Sequence, residues 1–121
     1  MRSIASATRA MPSAASTDDA TALKKLARQA GDAAQLLKML ASEKRLLILC
    51  FLAVRGEMAV GELVVPVKLS QSALSQHLAK LRADGLVEFR RDAQTLYYRV
   101  ADPRALRLLQ VLKEIYCGDL K

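Results

Sequence analysis

The stretch from Ser70 to Gly85 constrains the fold more than any other part of the sequence. Ser70 offers a hydroxyl to the first turn of a helix, and Leu74, Leu78 and Leu81 recur at i, i+4 and i+7 as one narrow apolar stripe. Gly85 stops that helix after Asp84. Two β-rich runs follow at once, residues 86–91 and 95–100, around the polar turn Asp92, Ala93 and Gln94, and together they predict a hairpin. One helix stripe and one hairpin face must then be buried against a common body.

The rest of the chain supplies that body from helices. Thr17 or Asp18 can cap a first helix, with Asp18 and Asp19 at its positive end, and Leu23, Leu26, Ala30, Ala33, Leu37 and Leu40 keep helical spacing. Ser42 breaks that run and caps a second helix, 43–54, with an expected core of Leu46, Leu47, Leu49, Cys50 and Leu52. After a turn at Gly56, residues 58–60 suit one short strand. A brief helix from about Gly61 should be ended or kinked by Pro66, which lacks a backbone donor. Asp102 followed by Pro103 opens the last helix, whose apolar face is Leu106, Leu109, Leu112, Ile115 and Tyr116, with Gly118 closing it. The expected fold is mainly α with a small β wing, in the order α1-α2-α3-α4-hairpin-α5, which is the order of a winged helix-turn-helix.

Composition narrows the partners. Of 121 residues, 52% are hydrophobic, enough for one domain with a core. No apolar run approaches the roughly 18–20 residues of a membrane span, so no membrane partner is expected. Nineteen Lys and Arg against twelve Asp and Glu leave a net charge of +7, which suits a polyanion and equally a solvated basic surface. Residues 1–17 are rich in Ser and Ala without the apolar core of a secretory signal and read as a disordered tail, with Met11 a candidate start. The folded domain is expected over 18–121. Two cysteines without a CxxC pair do not make a secreted disulfide scaffold; a reducing bacterial cytoplasm fits them better.

The fourth helix carries short hydroxyls, amides and a cation away from its leucine stripe. Ser70, Gln71, Ser72, Ser75, Gln76, His77 and Lys80 are therefore candidates to meet double-stranded DNA. Gln can pair with adenine, Ser with several bases, and Lys with guanine or phosphate. The hairpin adds Arg90, Arg91 and Gln94. Arg90 and Arg91 are neighbours on a strand and point to opposite faces, so at most one faces DNA squarely. Tyr97 and Tyr98 alternate in the same way, one core and one exposed.

Residues 69–87 (LSQSALSQHLAKLRADGLV) resemble the helix-turn-helix core of the ArsR/SmtB family of bacterial repressors. Residues 40–50 (LASEKRLLILC), 60–63 (VGEL) and the wing 91–99 (RDAQTLYYR) are similar to it too, and the likeness covers roughly residues 34–117. The resemblance implies a homodimer through the first and last helices and a transcriptional repressor on operator DNA in the nucleoid, not an enzyme and without a cofactor. Many members sense metals, but here the third-helix region 62–69 holds no thiol and the last helix no histidine. His77 is the single histidine, so no metal site is expected.

A narrower resemblance is to the two-cysteine, persulfide-responsive branch of the family, which includes the biofilm-growth-associated repressor type and a haemolysin-activating, counter-silencing type. It rests on Cys50 in LCFL, on Cys117 in IYC and on the distance between them in the sequence. By residue chemistry alone Cys50 reads as a buried small hydrophobe, while Cys117 sits at a more open helix end. The resemblance makes the pair a redox sensor, bridged by a di- or polysulfide when reactive sulfur species or an oxidant arrives, with release of DNA. A counter-silencing activator and a thiol oxidoreductase remain as alternatives, the latter without a recognisable nucleophile motif.

Overall fold

The computed structural model describes residues 17–118. The tail expected over 1–17 lies outside the described residues except for Thr17, where α1 (Thr17–Leu40) begins. The chain divides into two compact units at Gln35 and Leu36. In the first, Leu23 and Leu26 are exposed. The second holds the end of α1, where Leu36 and Leu40 are buried, and all later elements: α2 (Glu43–Arg55), β1 (Met58–Ala59), α3 (Val60–Val67), α4 (Gln71–Ala83), β2 (Val87–Asp92), β3 (Thr95–Val100) and α5 (Pro103–Cys117).

The helix boundaries follow their caps. The Arg45 N–H donates to the Ser42 hydroxyl and the Ala73 N–H donates to the Ser70 hydroxyl, opening α2 and α4. Asp102 accepts from the N–H groups of Arg104 and Ala105 at the start of α5, with Pro103 in the first turn. Gly56 and Gly85 take left-handed backbone, φ 87° and 79°, and turn the chain out of α2 and α4.

α3 departs from expectation. It starts at Val60, and Pro66 does not end it; Val67 is its last residue and left-handed Lys68 (φ 57°) terminates it. Pro66 lies one residue from the end, where its missing N–H removes little more than one bond. The Lys68 N–H donates to the Val64 and Val65 carbonyls, and Lys44 on α2 donates through Nζ to the Val67 carbonyl at 2.9 Å. A cation thus satisfies the negative end of the short helix.

The three strands form one antiparallel sheet in the order β1-β3-β2. The hairpin is shifted from expectation: Val87 pairs with Val100 and Asp92 with Thr95, so Asp92 belongs to the ladder and the turn is only Ala93 and Gln94. Ala93 adopts φ 58°, as a two-residue hairpin turn demands at its first position. β1 spans Met58 and Ala59 alone, without Val60, and adds to the outer side of β3 through Met58↔Tyr98 and Ala59↔Tyr97.

The core confirms the stripe on α4. Leu74, Leu78 and Leu81 are fully buried against Ile48, Leu49, Leu52, Leu63 and Leu86. On α2 the expected phase is corrected: Ile48 joins Leu49 and Leu52 inside, while Leu46, Leu47 and Cys50 are half-buried. On α5 Leu109 is buried with Ala105, whereas Ile115 and Tyr116 are exposed. Of the two tyrosines, Tyr98 is buried against the Phe89 ring and Tyr97 is half-exposed.

Candidate nucleic-acid interface and thiol site

With its leucines fixed in the core, α4 leaves Gln71, Ser72, Ser75, Gln76 and Lys80 exposed, as the sequence leads one to expect. His77 is half-buried beside the stripe, and the Ser70 hydroxyl is engaged as the helix cap. Between the starts of α3 and α4 and the hairpin lies a cleft of about 340 Å³. Gln71 and Ser75 line it from the helix and Gln94 and Thr95 from the wing, and Gly61 lines it from the start of α3. Three of the expected DNA-facing residues thus meet in one groove. Thr95 and Gly61 join them, and no sequence signal had marked either one.

The two wing arginines differ sharply. Arg90 donates from Nε and Nη2 to the two carboxylate oxygens of Glu57, each at 2.9 Å, and its guanidinium lies 4.6 Å from the centre of the Tyr97 ring. The hydrogen bond from Arg90 is the main reason the Glu57 carboxyl is held below its ordinary range. Arg91 is exposed and makes no ion pair with the described residues. Arg99, on the neighbouring strand, is paired with Glu88 at 2.6 Å. Glu57 escapes sequence reading because it only reads as part of a turn, and its partner is 33 residues away.

The second constellation joins α2 and α5. Cys50 and Cys117 are both free thiols and line one cavity of about 360 Å³ with Leu46, Ala53, Leu109, Leu112, Lys113 and Tyr116. Cys50 is half-buried and Cys117 exposed. Burial pushes the Cys50 thiol above its ordinary value, and the neighbouring Cys117 pushes it further. Among the described residues, no group of three or more His, Cys, Asp or Glu is placed to hold a metal ion. None of the described helices is long and apolar enough to cross a membrane.

Similarity to known proteins agrees with this architecture. Residues 42–88 match the family described as bacterial regulatory protein, arsR family. The nodulation protein NolR of Rhizobium meliloti is 56% identical over 87 residues, covering 72% of this chain and 70% of that protein. The transcriptional activator HlyU of Vibrio cholerae is 45% identical over 95 residues, 78% of this chain and 87% of that one. A solved structure of reduced HlyU from that organism superposes with a TM-score of 0.71 at 45% identity, covering 78% of this chain and 98% of the other. The biofilm growth-associated repressor of Agrobacterium fabrum is 42% identical over 96 residues, 79% of this chain and 81% of that protein. Fold, helix-turn-helix and relatives agree, and the chain belongs to the arsR family of winged-helix, DNA-binding transcriptional regulators.

Proposed function

We propose that the protein is a dithiol-switched regulator: a homodimer that binds operator DNA when Cys50 and Cys117 are reduced and releases it when the two are bridged. The observation that carries this reading is that thiols on two separate helices, α2 and α5, line the same cavity. A di- or polysulfide bridge between them would tie α5 to α2. If α5 is also part of the contact between two copies, the bridge changes the spacing of the two recognition helices, which must fit major grooves about 34 Å apart. Exposed Ile115 and Tyr116 on α5, and exposed Leu23 and Leu26 on α1, give a second copy apolar surface to cover.

DNA would be met by Ser72, Ser75, Gln76 and Lys80 of α4 in the major groove, with Gln71, Gln94 and Arg91 nearer the backbone. Ser70 contributes through its cap, His77 through packing beside the stripe, and Arg90 through positioning the wing. Reactive sulfur species, such as persulfides, are the inducers that suit a dithiol. The solved structure of reduced HlyU is consistent with redox chemistry in a relative.

The test is operator affinity of the reduced, the peroxide-treated and the persulfide-treated protein, with mass spectrometry of the two cysteine peptides. A marked fall in affinity on treatment, absent in Cys50→Ser and in Cys117→Ser, supports the switch. Normal release by either variant refutes it.

A second reading concerns only the direction of control. One relative is named a transcriptional activator and another a repressor, so the same DNA-binding surface could raise transcription by displacing a silencing protein. A reporter measured with and without the gene separates the two.

A further inference from the structure

We infer that the cleft between the start of α4 and the wing seats one sugar–phosphate strand of the DNA, held by neutral donors, and that Gly61 is the residue that leaves the strand room. This rests on the reading that α4 enters the major groove, and it names the contact made beside that groove.

The shape of a duplex supplies the first argument. Its major and minor grooves are separated by a single sugar–phosphate strand. A protein that lays a helix in one groove and a hairpin against the next must straddle that strand. Here the space between the two elements is the cleft of about 340 Å³, with Gln71 and Ser75 of α4 on one side and Gln94 and Thr95 of the hairpin on the other. Ligand sites run from roughly 300 to 1,000 Å³, so this volume suits a single unit of the strand.

The lining matches that occupant. Ala59, Val60 and Leu96 offer apolar surface to a deoxyribose ring, while amides and hydroxyls can donate to phosphate oxygens. The side chains of Gln71, Ser75, Gln94 and Thr95 are exposed and make no hydrogen bond with the other described residues, so all four are free to meet a ligand. None of the residues that line the cleft is charged. The protein as a whole carries a net charge of +7, so its cations are placed elsewhere and this contact is left to dipoles.

Gly61 gives the second, independent argument. It is the second residue of α3, and it is not among the glycines with positive φ, so no left-handed backbone requires a glycine there. A Cβ at this position would meet no atom within 4 Å, so no neighbour in the fold excludes a side chain. Glycine also weakens a helix relative to alanine. Folding therefore gains nothing from the absence of a side chain at residue 61. The cleft does, because Gly61 lines it and a side chain there would take up space beside the strand.

The experiment uses the full chain, kept reduced, and a duplex that the wild-type protein has selected from a random pool. Affinity is read by fluorescence anisotropy at several salt concentrations. Gln71→Ala, Gln94→Ala and Thr95→Val are each expected to weaken binding several-fold and to leave the slope of log affinity against log salt unchanged, since a neutral donor releases no counterions. Gly61→Ala should raise the midpoint of urea unfolding and yet weaken binding; Gly61→Leu should weaken it about tenfold or more. Single methylphosphonates along one half-site then tell a phosphate contact from a base contact. At the phosphate seated in the cleft, that replacement and Gln71→Ala should together cost little more than the larger of the two alone. Wild-type affinity in both Gly61 variants overturns the inference, as do losses that simply add at every phosphate for all three polar variants. A Gly61→Ala protein that unfolds at lower urea assigns the glycine to the fold and overturns its role in the cleft. These outcomes spare the reading of α4 so long as Gln76→Ala or Lys80→Ala weakens binding. If neither does, that reading falls and this inference falls with it.

Discussion

Arg90 and Glu57 form a two-point ion pair, Nε to Oε2 and Nη2 to Oε1 both at 2.9 Å, and the arginine also stacks on Tyr97. The pair joins the turn before β1 to β2, the wing strand on the far side of β3. It also occupies the guanidinium of one of the two adjacent wing arginines and leaves the other, Arg91, without such a partner among the described residues.

The two arginines should therefore differ in their dependence on salt. Arg91→Ala is expected to weaken operator binding and to reduce the slope of log affinity against log salt by about 0.9 for each phosphate that the arginine neutralises. Arg90→Ala should leave that slope nearly unchanged, whereas Glu57→Gln, which frees the Arg90 guanidinium, should not reduce it and should steepen it if the arginine then meets a phosphate. Binding isotherms at several salt concentrations measure all three. A slope reduced by Arg90→Ala and unaffected by Arg91→Ala would reverse the assignment.

Local chemistry made much of this fold legible. Ser70, the three leucines of α4 and Gly85 each act within their own helix, so the recognition helix was readable from its cap to its stop. The phase of α2 was not. Residues 46–52 are LLILCFL, with no charged or polar side chain to mark an outward face. Which residues point inward is then decided by what packs on the helix, here α5 and β3 among others, and Ile48 enters the core in place of Leu46 and Leu47. The hairpin slipped by one residue for a related reason. Asp92 is a turn former by propensity, but Val87↔Val100 and the burial of Leu86 set the register. The candidate site divides in the same way. The exposed polar face of α4 could be inferred from helical geometry, whereas the Glu57–Arg90 pair and the cavity shared by Cys50 and Cys117 depend on distant parts of the chain coming together.

The two thiols should react in a fixed order. Burial and the neighbouring sulfur raise the Cys50 thiol, so its reactive thiolate is scarcer, and its half-buried position slows access as well. In the reduced protein, brief iodoacetamide treatment near pH 7.5 (about one unit below the ordinary thiol value) is expected to label Cys117 several-fold faster than Cys50. Denaturant should remove the difference. A thiol raised on folding contributes stability that is fully present below its unfolded pKa and is lost as pH climbs through the folded one. The Cys50→Ala protein should accordingly differ from wild type by a constant amount at neutral pH and by a changing amount only under alkaline conditions. Peptide mapping of a labelling time course gives the order directly, and faster labelling of Cys50 would contradict it.

The start of α5 ties a capping carboxylate to the element that carries Cys117. Asp102 accepts from the Arg104 N–H at 2.8 Å and from the Ala105 N–H, and its other oxygen meets Arg104 Nη2 at 2.8 Å. The Arg104 side chain, ahead of the backbone bonds, holds the Asp102 carboxyl below its ordinary range. A carboxyl lowered on folding contributes stability that is present above its unfolded pKa, about 3.9 for aspartate, and is lost as pH falls through the lower folded value. Asp102→Ala should cost about 1 kcal/mol at pH 7. Asp102→Asn keeps a capping oxygen but removes the charge, so it should cost less, and its deficit against wild type should shrink as pH falls below about 4. Urea unfolding at pH 7 and at pH 3, at one protein concentration, measures both variants. An Asp102→Asn deficit that is the same at the two pH values would mean that the charge contributes nothing to the cap, and that the backbone hydrogen bonds alone hold the start of α5.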